Sequence, residues 1–88
     1  MEAKPGDADS HEIIVYPNPT AETVTINSTF DINNVTVYTI DGKQIGVFRN
    51  PMTSNVFSIN VQNLSIGIYN FKINTATGNV NKKVIIRR

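Results

Sequence analysis

Short apolar runs separated by turn residues fill the chain from Ile13 onward, and within each run the side chains alternate. In 22–28 (ETVTINS), Val24 and Ile26 fall on one face while the threonines fall on the other, which is the pattern of a half-buried strand. Further runs of this kind follow, each bounded by Gly, Pro, Asn or Asp. We predict seven strands, over 13–16, 22–28, 34–40, 43–49, 56–61, 67–75 and 79–88.

These strands predict an all-β domain over 13–88. No window of about ten residues keeps its apolar positions at helical spacing, so no helix is predicted. Strand starts recur about every 8–12 residues, the spacing of a sandwich or small barrel. We predict a seven-stranded immunoglobulin-like antiparallel β-sandwich. Asp41-Gly42 between two strand runs further predicts a hairpin with a type I′ turn, in which both central residues have positive φ.

Residues 1–12 have a different composition and show no apolar periodicity. They hold four of the seven acidic residues and the single histidine, which predicts a flexible linker. Asp7, Asp9 and His11 resemble metal ligands, but a metal site needs several ligands held in fixed geometry. A linker does not hold them so, and we therefore predict no metal site.

Composition and charge exclude several classes of function. The formal net charge of 88 residues is +1, so no overall field draws the domain to nucleic acid or to a membrane surface. No stretch approaches the roughly 18 apolar residues of a membrane span. The chain has no cysteine, which excludes disulfides and thiol chemistry. We expect no cofactor and no nucleic-acid partner.

The titratable residues do not form a catalytic set. Within 13–88 the acids are Glu22, Asp31 and Asp41, and there is no histidine. Asp41 is explained by its turn, and two scattered carboxylates do not make a general acid–base pair. No base other than a lysine is present to activate a serine. We therefore predict no catalytic residues and no enzyme activity.

The aromatic residues allow a second hypothesis, a carbohydrate-binding or adhesive β-sandwich. Such a site needs at least two exposed coplanar aromatic rings, or a calcium site. Tyr69 and Phe71 share a face with Ile73, which favours core filling instead, and there is no tryptophan to anchor stacking. A third hypothesis is a spacer resembling a fibronectin type III module. The aromatics are Tyr16, Phe30, Tyr38, Phe48, Phe57, Tyr69 and Phe71.

The last run, NVNKKVIIRR, places three apolar residues between two pairs of cations. A strand at a sheet edge offers unpaired N–H and C=O groups to a partner strand, the recognition mode called β-augmentation. The cations would discourage promiscuous pairing and favour an acidic receptor. The simpler alternative is that Val84 and Ile86 close the sandwich while the basic residues keep the edge soluble.

Three segments, in this order and spacing, resemble the type A C-terminal sorting domains of the type IX secretion system, also called the Por secretion system. They are YPNPT (16–20), VTVYTIDGKQI (35–45) and the closing segment 64–88. Thr39 and Asn70 depart from the family pattern at positions expected on outer faces. The motif residues are Pro17, Asn18, Pro19, Asp41, Gly42, Lys43, Gly67, Tyr69 and Gly78.

The resemblance implies a C-terminal signal that directs a covalently attached upstream cargo through the periplasm and across the outer membrane, to the cell surface or the medium. It implies two partners, the type IX translocon and a sortase-like cysteine protease that removes the domain after export. We expect the processing site within 1–12.

The resemblance also implies that the translocon recognises the end of the last strand. Removing Arg87 and Arg88 is expected to block export while leaving the fold largely intact. Exposed edges also make an edge-strand dimer an expected side effect. The predicted recognition residues are Lys82, Lys83, Val84, Ile85, Ile86, Arg87 and Arg88.

Overall fold

Two antiparallel sheets pack into a sandwich in the computed structural model, which describes residues 13–17 and 20–88. These residues form seven strands and no helix, as predicted. The predicted linker 1–12, with Asp7, Asp9 and His11, lies outside the described residues, and so do Asn18 and Pro19. The strands are β1 Ile13–Tyr16, β2 Thr23–Ser28, β3 Ile32–Thr39, β4 Gln44–Arg49, β5 Val56–Asn60, β6 Gly67–Thr75 and β7 Gly78–Ile86.

The strand order confirms the immunoglobulin-like sandwich. One sheet has the order β1-β2-β5 and the other the order β4-β3-β6-β7. In immunoglobulin notation the first sheet is A-B-E and the second is C′-C-F-G. The edges of the four-stranded sheet are therefore β4 and β7.

The core lies between the sheets and is built from the alternating apolar positions. Val24 and Ile26 from one sheet and Val35 and Val37 from the other are fully buried, as the period-two pattern predicted. The core also takes Ile32, two residues before the predicted start of β3. Its buried members are Ile13, Val24, Ile26, Ile32, Val35, Val37, Ile59, Val61, Tyr69, Phe71, Ile73, Val84 and Ile86.

Tyr69 makes a tyrosine corner at the start of β6. Its ring is buried, and its hydroxyl donates a hydrogen bond to the Ser65 carbonyl oxygen at 2.6 Å. Immunoglobulin-like sandwiches carry a tyrosine in this place, with its hydroxyl bonded to the backbone a few residues upstream. Gly67 opens β6, and a Cβ there would lie 3.7 Å from the Tyr69 ring. The Tyr69 hydroxyl bond thus fixes the entry of the chain into β6, whereas a Cβ at Gly67 would make only an ordinary contact.

The β3–β4 hairpin is present, but its turn type differs from the prediction. Gly42 has φ +96°, whereas Asp41 is not among the residues with positive φ. The Gly42 amide donates to the Thr39 carbonyl, and the Thr39 amide donates to the Lys43 carbonyl. This is a three-residue loop with glycine in the left-handed position, a common alternative to the two-residue type I′ turn. The type I′ prediction is therefore wrong, because only one residue has the positive φ.

Candidate recognition surface on the last strand

The last strand lies at the edge of the four-stranded sheet. β7 pairs with β6 without interruption from Gly78↔Thr75 to Ile86↔Gly67. No other strand of the described residues lies along its outer flank. A partner strand can pair with an edge strand only along the part of its flank that no other segment covers.

The end of β7 is pinned by a residue from the β1–β2 connection. The Thr20 amide donates to the Ile85 carbonyl and the Arg87 amide donates to the Thr20 carbonyl, both at 2.9 Å. Thr20 is buried, and its Oγ1 donates to the Thr23 carbonyl at 2.6 Å. Sequence reasoning missed this role, although Thr20 closes the YPNPT motif. Thr20 thus occupies the outer flank of β7 at its C-terminal end. No strand of the described residues borders that flank at the N-terminal end of β7.

Arg88 ties the segment after β7 to the β5–β6 loop. Its guanidinium donates from Nη1 to the Leu64 carbonyl at 2.8 Å and from Nη2 to the Val61 carbonyl at 2.9 Å. With the Arg87 amide bonded to Thr20, the two arginines do more than end the strand. Removing both arginines therefore costs hydrogen bonds of the fold, which the expectation of a largely intact fold did not take into account.

The predicted recognition residues fall on two faces of β7. Val84 and Ile86 are fully buried, so their side chains pack the core and present nothing to a receptor. Lys82 has the same orientation, opposite Phe71, and is half-buried. An inward-pointing cation on an edge strand discourages pairing with other chains.

The other face of β7 is turned toward solvent. By alternation, Lys83, Ile85 and Arg87 lie on the outer side of the sheet. Lys83 and Arg87 are exposed, and Ile85 is partly buried. The strand therefore presents two cations around one apolar side chain.

The Asp41-Gly42-Lys43 motif is a local hairpin and lies apart from β7. The Thr39 hydroxyl donates a hydrogen bond to the Asp41 carboxylate, and its oxygen accepts one from the Lys43 amide at 3.0 Å. The Thr39 hydroxyl, then a backbone amide, and finally the charge of Lys43 lower the pKa of Asp41 below its ordinary value of 3.8. The motif closes a turn.

The other motif residues in the described range also have structural places. Pro17 directly follows β1, after a cis peptide bond with Tyr16. Gly78 has φ +146° and opens β7 after the β6–β7 turn, a conformation that glycine adopts more readily than other residues.

Nothing in the described residues forms a metal or stacking site. Across 13–17 and 20–88, no group of three His, Cys, Asp or Glu residues could hold a metal ion. All seven aromatic side chains are more than half buried, and the most exposed, Tyr16, is 45% exposed. The exposed aromatic platform that the carbohydrate hypothesis requires is thus missing from this part of the chain.

Within the same described segments, no helix has the length and apolar character needed to span a bilayer.

Sequence comparison adds one decisive match. The family profile described as the secretion system C-terminal sorting domain matches residues 14–87, which is most of the chain. No curated protein matches the sequence. The matched family is one of sorting signals and not of enzymes, and it gives no support to a carbohydrate-binding role. The chain therefore belongs to the C-terminal sorting domains of the type IX secretion system, and it acts as a sorting signal for export to the cell surface or beyond.

Proposed function

We propose that the type IX translocon recognises the folded domain through the outer side of β7, with Lys83 and Arg87 as the contacting cations. The observation that supports this proposal is that β7 is an edge strand and that backbone hydrogen bonds to Thr20 hold its end. A strand held in this way presents its outer side chains in one geometry. Recognition then costs little ordering of the signal, which favours binding.

Charge supports an acidic receptor surface. The four strands of this sheet contain no Asp or Glu, and the acids of the described residues, Glu22, Asp31 and Asp41, all lie outside them. The side chains of this sheet therefore bring cations and no carboxylate to its surface. Charge complementarity of this kind raises the association rate and selects among partners more than it raises affinity.

Processing completes the proposed sequence of events. The cargo is attached upstream of the domain, passes through the periplasm and crosses the outer membrane with it. A sortase-like cysteine protease then cleaves within 1–12. The polar composition of 1–12 supports this assignment, because a protease cleft needs exposed, extended chain.

A reporter fusion tests the recognition step. Residues 1–88 are fused to a periplasmic fluorescent reporter in a host with a type IX system, and reporter in the medium and at the surface is measured. Arg87→Glu is expected to lower export about tenfold, the effect of about 1.4 kcal/mol of lost binding. The matched control is Arg49→Glu, since Arg49 is an exposed arginine at the end of the opposite edge strand. Equal export of the two variants, both folded, would refute the role of β7.

The same fusion tests the processing step. Mass spectrometry of the exported reporter is expected to find its new C-terminus within 1–12. An exported reporter that still carries residues 13–88 would contradict removal of the domain while leaving recognition by β7 unaffected.

A further inference from the structure

We infer that the recognition surface extends from β7 across the outer face of the four-stranded sheet along three residues, Ile40, Ile68 and Ile85, here named the isoleucine row. Its occupant is a translocon protein surface with an apolar centre and carboxylates at one end. This inference rests on the proposed function, because it enlarges the site that the translocon reads.

The register of the strands brings the row together. Ile68 and Ile85 are directly opposite each other in the β6–β7 pair. Thr39 pairs with Tyr69 at the end of β3, so the next residue, Ile40, lies at the level of Ile68. The neighbours of Ile68 and Ile85 along their strands include the buried Tyr69, Val84 and Ile86, so alternation turns both isoleucines outward.

The row is apolar surface on the outside of the domain. Ile40 is 62% exposed and Ile68 is 41% exposed, while Ile85 is partly buried. Ile66, just before β6 at the same end of the sheet, is 63% exposed. Single exposed aliphatic residues are ordinary, but Ile68 and Ile85 are paired on adjacent strands and Ile40 directly follows the end of β3 beside them. Clustered exposed apolar residues of this kind mark interaction sites.

The cations beside the isoleucine row indicate the charge of the partner surface. Lys83 and Arg87 flank Ile85 along β7, and both are exposed. In the neighbouring row, Tyr38 pairs with Asn70 and Asn70 pairs with Lys83, so hydrogen-bonding groups border the apolar strip. An apolar centre with a polar and charged rim is the usual composition of a protein–protein interface. The cations at the β7 end require carboxylates at the matching end of the partner.

Threonine substitutions test the row in the export assay. Ile68→Thr keeps the branched shape and strand propensity while removing apolar contact area. We expect its export rate to fall on the order of tenfold, and that of Ile40→Thr/Ile68→Thr to fall further. The control is Val47→Thr. Val47 lies in β4 of the same sheet, opposite Thr36 of β3, and is 47% exposed, but it is outside the isoleucine row. Its export is expected to match wild type.

Folding is monitored by thermal unfolding of each purified full chain. If Ile68→Thr is unfolded, Ile40→Thr alone decides the question, since Ile40 lies outside the strands. Lowered export of a folded row variant, with Val47→Thr unchanged, supports the inference. Wild-type export of folded Ile40→Thr and Ile68→Thr overturns it.

Comparison with Arg87→Glu separates the role of the row from that of the cations, and sedimentation separates a translocon partner from a second copy of the domain. If Arg87→Glu lowers export and the row variants do not, recognition by β7 stands and the isoleucine row is overturned. If Arg87→Glu has no effect but the row variants lower export, the row stands and the role of the cations fails. Sedimentation of the wild-type domain tests a second copy as occupant: a dimer that Ile68→Thr dissociates, with unchanged export, overturns the inference.

Discussion

The two edges of the four-stranded sheet are built differently. β4 is short, its register with β3 shifts at Val37/Tyr38, and none of its side chains is fully buried. β7 is longer, keeps one register with β6 throughout, and buries Val84 and Ile86 completely. Thr20 bonds to the end of β7 on its outer flank, whereas the end of β4 is held from the β3 side, where the Asn50 amide donates to the Asn33 carbonyl.

The comparison distinguishes features that prevent unwanted strand pairing at an edge from features that hold an edge strand in place for a receptor. The bulge in β4 and the inward-pointing Lys82 in β7 are both devices that discourage uncontrolled strand pairing. In addition, β7 is anchored by two fully buried side chains, Val84 and Ile86, and by Thr20 and Arg88 at its end. An anchored strand presents its outer residues in constant geometry, which is what a receptor needs to read a signal. The edge for which we propose recognition is therefore the one that contributes fully buried side chains to the core.

The largest expected effect compares a core residue of β7 with an outer residue of β4. Ile86→Ala is expected to lower the free energy of unfolding by about 3 kcal/mol, because it leaves a cavity in the core. Val47→Ala is expected to change it by about 0.5 kcal/mol or less. Urea unfolding of the full chain measures both. Similar losses for the two variants would show that the edges are equally anchored.

The next largest effect concerns the hairpin loop that leads into β4. Alanine substitutions of two glycines, one in the loop and one in the strand, test its contribution to stability. Gly42→Ala places a side chain at φ +96° and is expected to cost about 1.5 kcal/mol. Gly46→Ala is the matched control, because its Cβ would lie 3.6 Å from the Phe48 ring, an ordinary contact. Thermal unfolding is expected to show a clear drop in Tm for Gly42→Ala only, and equal drops would contradict the loop geometry.

The two arginines after β7 are expected to differ in their contribution to stability. Arg88→Met removes two hydrogen bonds to loop carbonyls and is expected to cost about 1 kcal/mol. Arg87→Met keeps the backbone bond to Thr20 and removes only an exposed side chain, so its cost is expected to be near zero. Urea unfolding distinguishes them, and a larger loss for Arg87→Met would refute the clamp by Arg88.

The smallest expected effect is a pH dependence from the β3–β4 hairpin. The folded-state pKa of Asp41 is lowered, so its ionised form stabilises the fold above the unfolded pKa. This contribution is lost as pH falls from about 4 through the folded pKa. Asp41→Asn is expected to show a shallower loss of Tm than wild type between about pH 5 and 3. Parallel curves for the two proteins would exclude this contribution.

Local patterns in the sequence predicted much of the fold. All seven strands, including β7, begin and end within two residues of their predicted positions, and the core faces of β2, β3 and β6 were identified correctly. Alternation with a period of two is a local property, so neighbouring residues suffice to reveal it. The turn at Asp41-Gly42 was mispredicted because loop length depends on the register of the two strands, and that register includes a bulge.

Buried polar groups in loops were harder to predict. The Asn50 side chain donates to the carbonyls of Ile32 and Ser54 at 2.9 and 3.2 Å, and it is buried. From the sequence, Asn50-Pro51 indicated only a loop. Its role in holding that loop to β3 depends on which backbone carbonyls come near it, and these are chosen by the packing of the whole domain.

The sequence by itself determined that the last strand has two faces, with Lys82, Val84 and Ile86 on one and Lys83, Ile85 and Arg87 on the other. Only the tertiary structure decided that the first face packs the core, that β7 lies at an edge, and that Thr20 and Arg88 hold its end. The physical reason is that the alternation of side chains between the two faces of a strand depends only on adjacent residues. Strand order and register instead pair residues far apart in the chain, and burial of the whole core selects among the alternatives.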